Sequence, residues 1–339
     1  MGYTLTNKYN LPETIVNALK YDTHTLGGHI SITSLVDSPR IRVLKKQHNL
    51  TEDVSEKLAA LLGTSMHSIL ERANIKNLHR RHFVEVINHL TSTVNASQDD
   101  ADKKKTNAAI GWLSKYMDLH LPEEESDYVI EQTLRAEVND WTISGTFDLY
   151  HKPVKKLQDY KLTSVYTYLD EESRKKHDAQ INCYAWMMRR NGFEIEQASI
   201  VFFFKDWSAN GILKNRDYPK CPIVEMPVKL YPDDRMTKYI TERVILHQQA
   251  EEGMLKDCTG KEKWASSDVF KVKQNGLKRS IKNFETEAAA KDWAEKNKHS
   301  YAKPLMIDTV PGESKRCENY CPVRDVCDQR KREKELRNQ

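Results

Sequence analysis

Ile143-Ser144-Gly145-Thr146-Phe147-Asp148-Leu149-Tyr150 and, after a short break, Lys156-Leu157-Gln158-Asp159-Tyr160-Lys161-Leu162 read as the two strands of one hairpin. In the first run, Ile143, Gly145, Phe147 and Leu149 alternate with Ser144, Thr146 and Asp148, so the two sets take opposite faces. In the second, Asp159 and Lys161 are two apart and point to one side. Pro153-Val154 lies midway between the aspartates, and a turn there sets Asp148 across from Asp159. Two carboxylates and one ammonium then converge. Neighbouring carboxylates repel unless a cation lies between them. Hard divalent ions favour oxygen ligands and keep bound waters that serve as nucleophiles. A lysine beside such an ion orients the water or neutralises a charged substrate oxygen. The arrangement suits hydrolysis of a phosphodiester. A hairpin with two aspartates and a lysine also occurs on ordinary surfaces, and its company decides between the two readings.

The chain has 339 residues, enough for one large or two smaller domains. No apolar run approaches the ~20 residues that span a bilayer, so no membrane partner is expected. The amino terminus, Met1-Gly2-Tyr3-Thr4-Leu5-Thr6, lacks a basic-then-apolar signal pattern, and a cytoplasmic protein is expected, in the host cytoplasm if phage-encoded. Lysine and arginine exceed aspartate and glutamate by 53 − 49 = 4, which permits a nucleic-acid partner without demanding one. Basic residues crowd the carboxyl end, from Lys315 and Arg316 to Lys334 and Arg337, and read first as a solvated helix face. Cys183, Cys221 and Cys258 are scattered, whereas Cys317, Cys321 and Cys327 fall within eleven residues. Clustered cysteines in a cytoplasmic chain suggest metal before disulfide.

Residues 30–36 are strand-like or begin a short helix at Ser34, and Asp53 is placed to cap a helix running to about Ala73. Residues 80–120 read as helical, broken by a polar loop from Thr91 to Asn107. Strands follow at about 127–138, 142–151 and 155–162, then a helix from Glu172 to Asn191 closed by Gly192. Ile200-Val201-Phe202-Phe203-Phe204 fits a buried central strand. Val224–Leu230 is a strand with Pro227 marking an edge, and a long helix begins at Asp233 or Asp234. A small hairpin and helix occupy residues 264–300, with a charged helix beyond Cys327. The order predicts an α/β fold, a mixed β-sheet flanked by helices. Three regions are expected: a helical amino-terminal region over 1–125, the sheet-bearing core over 126–255, and a cysteine-bearing segment over 256–339.

Other residues add chemistry. His67, in Gly63-Thr64-Ser65-Met66-His67, lies beside an apolar helical row and offers an imidazole to metal or phosphate. Gln180 and Tyr184 are one helical turn apart and share a face. Glu131, one strand upstream of Asp148, either completes a ring of carboxylates or is a solvated strand residue.

In order these run Gly-Thr-x-x-His, Glu131, Gly-x-x-Asp (145–148), Asp-Tyr-Lys (159–161) and Gln-x-x-x-Tyr (180–184). The series resembles the RecB-type branch of the PD-(D/E)XK nuclease superfamily, which includes CRISPR-associated RecB-like exonucleases and many bacteriophage exonucleases. The resemblance covers roughly residues 30–205 as the core. It implies a restriction-endonuclease-like sheet and Mg²⁺- or Mn²⁺-dependent cutting of DNA to 5′-phosphate ends. It implies His67, Asp148 and Asp159 as metal ligands, with the Tyr160 carbonyl also in reach. Lys161 would position or activate the water, and Gln180 and Tyr184 would support DNA and the lysine. The expected activity is an exonuclease in phage or mobile-element recombination, with a recombinase, helicase or single-strand-binding partner. A structure-specific endonuclease and a non-catalytic DNA-binding module are the alternatives. No Gly-x-x-x-x-Gly-Lys-Ser/Thr loop is present, so the chain itself is not expected to hydrolyse ATP.

Several relatives hold an iron–sulfur cluster through one upstream cysteine and three near the carboxyl end. This chain has the three, Cys317, Cys321 and Cys327, but no cysteine precedes Cys183. A fourth ligand is expected from His48, in the upstream region, or from Cys258. Three cysteines and a histidine suit zinc, and an iron–sulfur cluster is the other candidate.

Overall fold

The structure, a computed structural model, describes residues 4–20, 28–74, 78–96, 99–121 and 126–337. Residues 1–3, part of the stretch read for a targeting signal, fall outside them. In chain order the strands are β1 (Thr4–Thr6), β2 (Ile30–Ser31), β3 (Thr51–Asp53), β4 (Tyr128–Val138), β5 (Trp141–His151), β6 (Lys156–Thr163), β7 (Gln197–Phe204), β8 (Ile223–Val228), β9 (Val269–Gln274), β10 (Lys282–Phe284) and β11 (Leu305–Val310). The helices are α1 (Glu13–Lys20), α2 (Ile32–Leu35), α3 (Pro39–Gln47), α4 (Leu58–Asn74), α5 (Leu78–Ala96), α6 (Asp100–His120), α7 (Val165–Leu169), α8 (Glu171–Arg190), α9 (Ala209–Lys214), α10 (Asp233–Glu251), α11 (Glu287–Asn297) and α12 (Asp328–Arg337). They form two compact units: Tyr9–Ile32 with Val54–Thr241, and Met1–Lys8 with Thr33–Asp53 and Glu242–Gln339. These differ from the three consecutive regions expected, because short segments from early in the chain pack with the carboxyl-terminal part.

The larger unit is built on a mixed sheet. β6 and β7 run parallel, and β5 with β6 and β7 with β8 run antiparallel. β4 lies antiparallel along β5 from Tyr128↔His151 to Val138↔Trp141. Since β4 fills one edge of β5, β2 and β6 share the other: β2 at Ile143–Ser144, β6 at Leu149–His151. Between them the edge at residues 145–148 stays open. α8 and α4 both pack against β4 and β6. In α8 every residue from Gln180 to Met188 is buried, as expected of a central helix, and Ile200, Phe202 and Leu157 are buried on the sheet. β8, with Pro227, is the edge strand.

The polar stretch Thr91–Asn107 is not a long loop. α5 runs to Ala96, and Asp99 caps α6 by accepting from the amides of Ala101 and Asp102. Stacked Phe83, Tyr116 and Trp112 hold the two helices together. Asp53 ends β3, with a 3₁₀ turn over Val54–Lys57 between it and α4, and its carboxylate takes bonds from Thr6 Oγ1 and the Lys8 amide, both 2.9 Å.

In the smaller unit β1 and β3 pair in parallel, and β10-β9-β11 form an antiparallel sheet with α11 packed on it. Arg40, 3% exposed, is ion-paired to Asp257 at 2.7 Å and to Asp328, and donates to the Leu255 and Lys256 carbonyls. Arg316 grips Asp37 with two bonds of 2.8 and 2.7 Å. Buried charges are kept when paired and bonded in this way. Among the described residues no helix is long and apolar enough to cross a membrane.

Candidate functional site

The open edge of β5 organises the site. The β5–β6 ladder stops at Leu149↔Gln158, one step before the two aspartates. The strands part there, and the Tyr160 amide, left without a strand partner on β5, donates to Asp148 Oδ2 at 2.6 Å. That bond fixes the Asp148 carboxylate, which is nearly buried. Across β5, the β4 ladder skips one position: Ile130↔Leu149 and Gln132↔Phe147 pair, but Glu131 and Asp148 between them do not. Glu131 stands there with φ +48, a left-handed backbone that a non-glycine residue adopts at a cost of about 1–2 kcal/mol.

His67 comes from α4. Its Nδ1 lies 3.4 Å from Glu131 Oε1 and 3.4 Å from Asp148 Oδ1. One ligand atom from each of His67, Glu131 and Asp148 falls within 4.8 Å of the others, so this trio is a group that could hold a metal ion. The donor set fits a divalent cation: two carboxylates suit Mg²⁺ or Mn²⁺, and an imidazole is acceptable to the softer Mn²⁺. Hydrogen bonds to Asp148 and then Glu131 push the His67 pKa up to about 10, against the effect of burial. The imidazolium thus occupies the place of the cation that the carboxylates call for, and a metal would replace its proton.

Asp159 and Lys161 share one side of β6, as alternation requires. Lys161 Nζ is 2.7 Å from Asp159 Oδ2. Burial, with repulsion from Asp148, lifts the Asp159 pKa to about 6 although Lys161 opposes it. Burial works against the Lys161 charge, but Asp159 and Asp148 overcome it and its pKa stays above the ordinary value. Lys161 is therefore a held cation and a hydrogen-bond donor.

From α8, Gln180 Nε2 donates to the Tyr184 hydroxyl at 3.4 Å. Burial pushes the Tyr184 pKa to about 12, so the phenol keeps its proton. Its ring packs on Gly145: a Cβ there would meet Tyr184 Cε1 at 2.8 Å and Ile32 Cδ1 at 2.7 Å. Gly145 is needed for close packing; its φ is not positive.

The structure thus gathers His67, Glu131, Asp148, Tyr160, Asp159, Lys161, Gln180 and Tyr184 in one unit, with differences from the expected ligand set. Glu131 joins the trio that could hold a metal ion, Asp159 is engaged by Lys161, and Tyr160 contributes its amide to Asp148. His177 belongs to the neighbourhood and was not singled out in the sequence. It sits on α8 one turn before Gln180 and feels the Lys161 charge, and burial first and then Lys161 lower its pKa to about 4. Its spacing from Gln180 and Tyr184, three and seven residues, was the available signal.

The cysteines lie in the smaller unit. Cys321 and Cys327 are buried with Ile41, Leu44, Leu50 and Val323. Cys258 bonds Ser38 Oγ through its sulfur at 3.1 Å, and its amide donates to Gln329. Burial lifts the Cys258 pKa to about 11, and Cys327 and Cys317 add to the rise. Cys317 is in turn raised by burial, Cys321 and Cys327. Cys321 likewise feels Cys327, but among the described residues no three cysteine sulfurs fall within 4.8 Å of one another as the ligand atoms of His67, Glu131 and Asp148 do. His48 is exposed at the end of α3, bonded through its amide to the Leu44 carbonyl.

A family model described as the PD-(D/E)XK nuclease superfamily matches residues 31–328. Among solved structures the chain is similar to SSO0001, at 14% identity over 69% of this chain and 85% of that one, with a TM-score of 0.38. It is similar also to a phage related exonuclease from Haemophilus somnus 129PT, at 16% identity over 50% and 93%, with a TM-score of 0.26. No curated protein matches. The family match spans most of the chain and takes in every residue of the site from His67 to Tyr184, together with the mixed sheet that carries them: the chain belongs to the PD-(D/E)XK nuclease superfamily.

Proposed function

We propose that the chain is a DNA exonuclease that hydrolyses phosphodiester bonds with Mg²⁺ or Mn²⁺ and leaves 5′-phosphate ends, in phage or mobile-element DNA processing alongside a recombinase, helicase or single-strand-binding protein. The observation that carries the nuclease reading is the meeting of the His67–Glu131–Asp148 trio with the Asp159–Lys161 pair at an open strand edge. A divalent ion held by the trio would neutralise phosphate charge and acidify a bound water. Asp148 would present the oxygen not taken by Tyr160. Lys161 stays protonated, so it would orient the attacking water or a phosphate oxygen rather than remove a proton. Tyr184 and Gln180 would supply neutral donors behind it.

The test is digestion of end-labelled linear DNA and covalently closed circular DNA with Mg²⁺ or Mn²⁺, by wild type and Asp159→Ala. Release of short products from linear DNA by wild type alone, with the circle spared, supports the exonuclease. Cutting of the circle replaces it with an endonuclease. No DNA loss above background with either protein, with DNA still bound, would favour a module that binds without catalysis.

The cysteines, in the same reading, hold a structural zinc ion or iron–sulfur cluster, with Cys258 in place of His48 as the fourth ligand. Support comes from Cys258, Cys317 and Cys321, each of which feels Cys327, and from the burial of Cys321 with Cys327; as thiolates they would repel one another without a cation. Metal analysis after anaerobic purification decides it. Absence of both zinc and iron would remove the idea.

A further inference from the structure

The β9–β10 hairpin of the smaller unit is strongly basic. Residues 269–284 contain Lys271, Lys273, Lys278, Arg279 and Lys282 and not one acidic residue. Lys278 and Arg279 are exposed in the connection between the strands. Gly276, in the same connection, has φ +81, and the Lys303 ammonium lies 3.9 Å from where its Cβ would stand. The Asn275 amide donates to the Pro304 carbonyl at 2.9 Å, which keeps Lys303 at this end of the sheet. Lys278, Arg279 and Lys303 therefore gather around one tight turn.

Their lack of counterions contrasts with the neighbouring helix. On α11, packed against the same sheet, and the residue that follows it, Lys291 pairs with Glu287 at 2.6 Å, Lys296 with Asp292 at 2.7 Å, and Lys298 with Glu295. On the hairpin only Lys273 has a carboxylate, Asp308, and Lys282 instead lies over the Phe284 and Trp293 rings. Among the described residues Lys278, Arg279 and Lys303 have no acidic partner. Self-repelling cations collected on a turn held by backbone bonds are suited to an extended polyanion.

We propose that this hairpin tip is a binding surface for the phosphate backbone of duplex DNA, in the unit that does not carry the catalytic carboxylates; the choice of DNA rests on the nuclease reading above. Each phosphate neutralised by a protein cation contributes about −0.9 to the slope of log K against log salt. Three such contacts contribute roughly −2.7.

The experiment measures binding of a fluorescent duplex without added divalent metal, over a range of KCl. It compares wild type, the triple variant Lys278→Ala/Arg279→Ala/Lys303→Ala, and the charge-matched Lys291→Ala/Lys296→Ala/Lys298→Ala. The hairpin variant is expected to lose at least tenfold in affinity and to flatten the salt slope by about 2–3, with the α11 variant unchanged. Its cleavage rate at saturating DNA with Mg²⁺ or Mn²⁺ should match wild type. An unchanged slope, an equal loss in the α11 variant, or a wild type that binds no DNA would each overturn the proposal. Hairpin-dependent binding by a wild type that cleaves nothing would uphold it while removing the catalytic reading.

Discussion

Replacing Gly145 with alanine tests how the site is built. The new methyl carbon would lie 2.7 Å from Ile32 Cδ1 and 2.8 Å from Tyr184 Cε1. Carbon atoms pack at about 3.5 Å or more, so each neighbour must retreat by roughly 0.7–0.8 Å. Both are buried, Ile32 at the start of α2 and Tyr184 in the central helix. Overpacking of this kind costs about 1–3 kcal/mol. Displacing the Tyr184 ring also stretches its bond to Gln180, already 3.4 Å. A shift approaching 1 Å in a positioning group can lower a rate by about a hundredfold. Urea unfolding and cleavage of a labelled duplex measure the two effects. Ile32→Val removes Cδ1 and alone should cost about 0.5–1.5 kcal/mol. In the Gly145→Ala background it should cost less or restore stability, because one of the two clashes has gone. Cleavage should stay low in the double variant, since Tyr184 is still displaced. A Gly145→Ala protein within about 0.5 kcal/mol of wild type, and strictly additive with Ile32→Val, would refute the close-packing argument.

Lys161→Ala should bind DNA near wild-type strength yet lose about a hundredfold or more in cleavage; near-normal turnover would show that the held ammonium is not used in the reaction. Stability should fall in acid through His247, fully buried with Nε2 3.2 Å from the Leu35 carbonyl. Burial, helped by Arg243, lowers its pKa from 6.5 to about 4, so the folded state refuses a proton that the unfolded chain accepts. The effect is absent above pH ~6.5 and grows by up to about 1.4 kcal/mol per pH unit down to pH ~4; His247→Gln should flatten the descent in urea titrations at stepped pH. Cys258→Ser should lower the bound zinc or iron to well under the wild-type stoichiometry while His48→Ala leaves it intact, and metal analysis giving the reverse would restore the histidine as the ligand.

The sheet was legible where the signal is local. Alternation in residues 128–162 locates β4 to β6 within a residue or two, and the apolar run at 200–204 falls inside β7, because side-chain direction follows from chain position alone. Polar helices were less legible. Thr91–Asn107 carries lysines and few apolar residues, and its helicity is secured by the Asp99 cap and by aromatic stacking between the flanking ends of the same two helices. β11 and the β1–β3 pair were missed, since short strands are defined by partners far away in sequence. For the site, the order and spacing of His67, Asp148, Asp159-Tyr160-Lys161 and Gln180–Tyr184 named the participants. Which atom meets which is a tertiary fact. No glycine marks Glu131 as a left-handed position, and nothing in the spacing of Cys258 separates it from His48.

The kink at Glu131 sets two demands on one residue. The main chain there would relax with glycine, which tolerates positive φ, whereas the ion site calls for a carboxylate. Replacement by glycine would be expected to make a firmer fold around an emptier pocket. A search for hardier versions of this protein would drift toward that substitution, and screening for thermal resistance alone would select molecules that have given up the ligand.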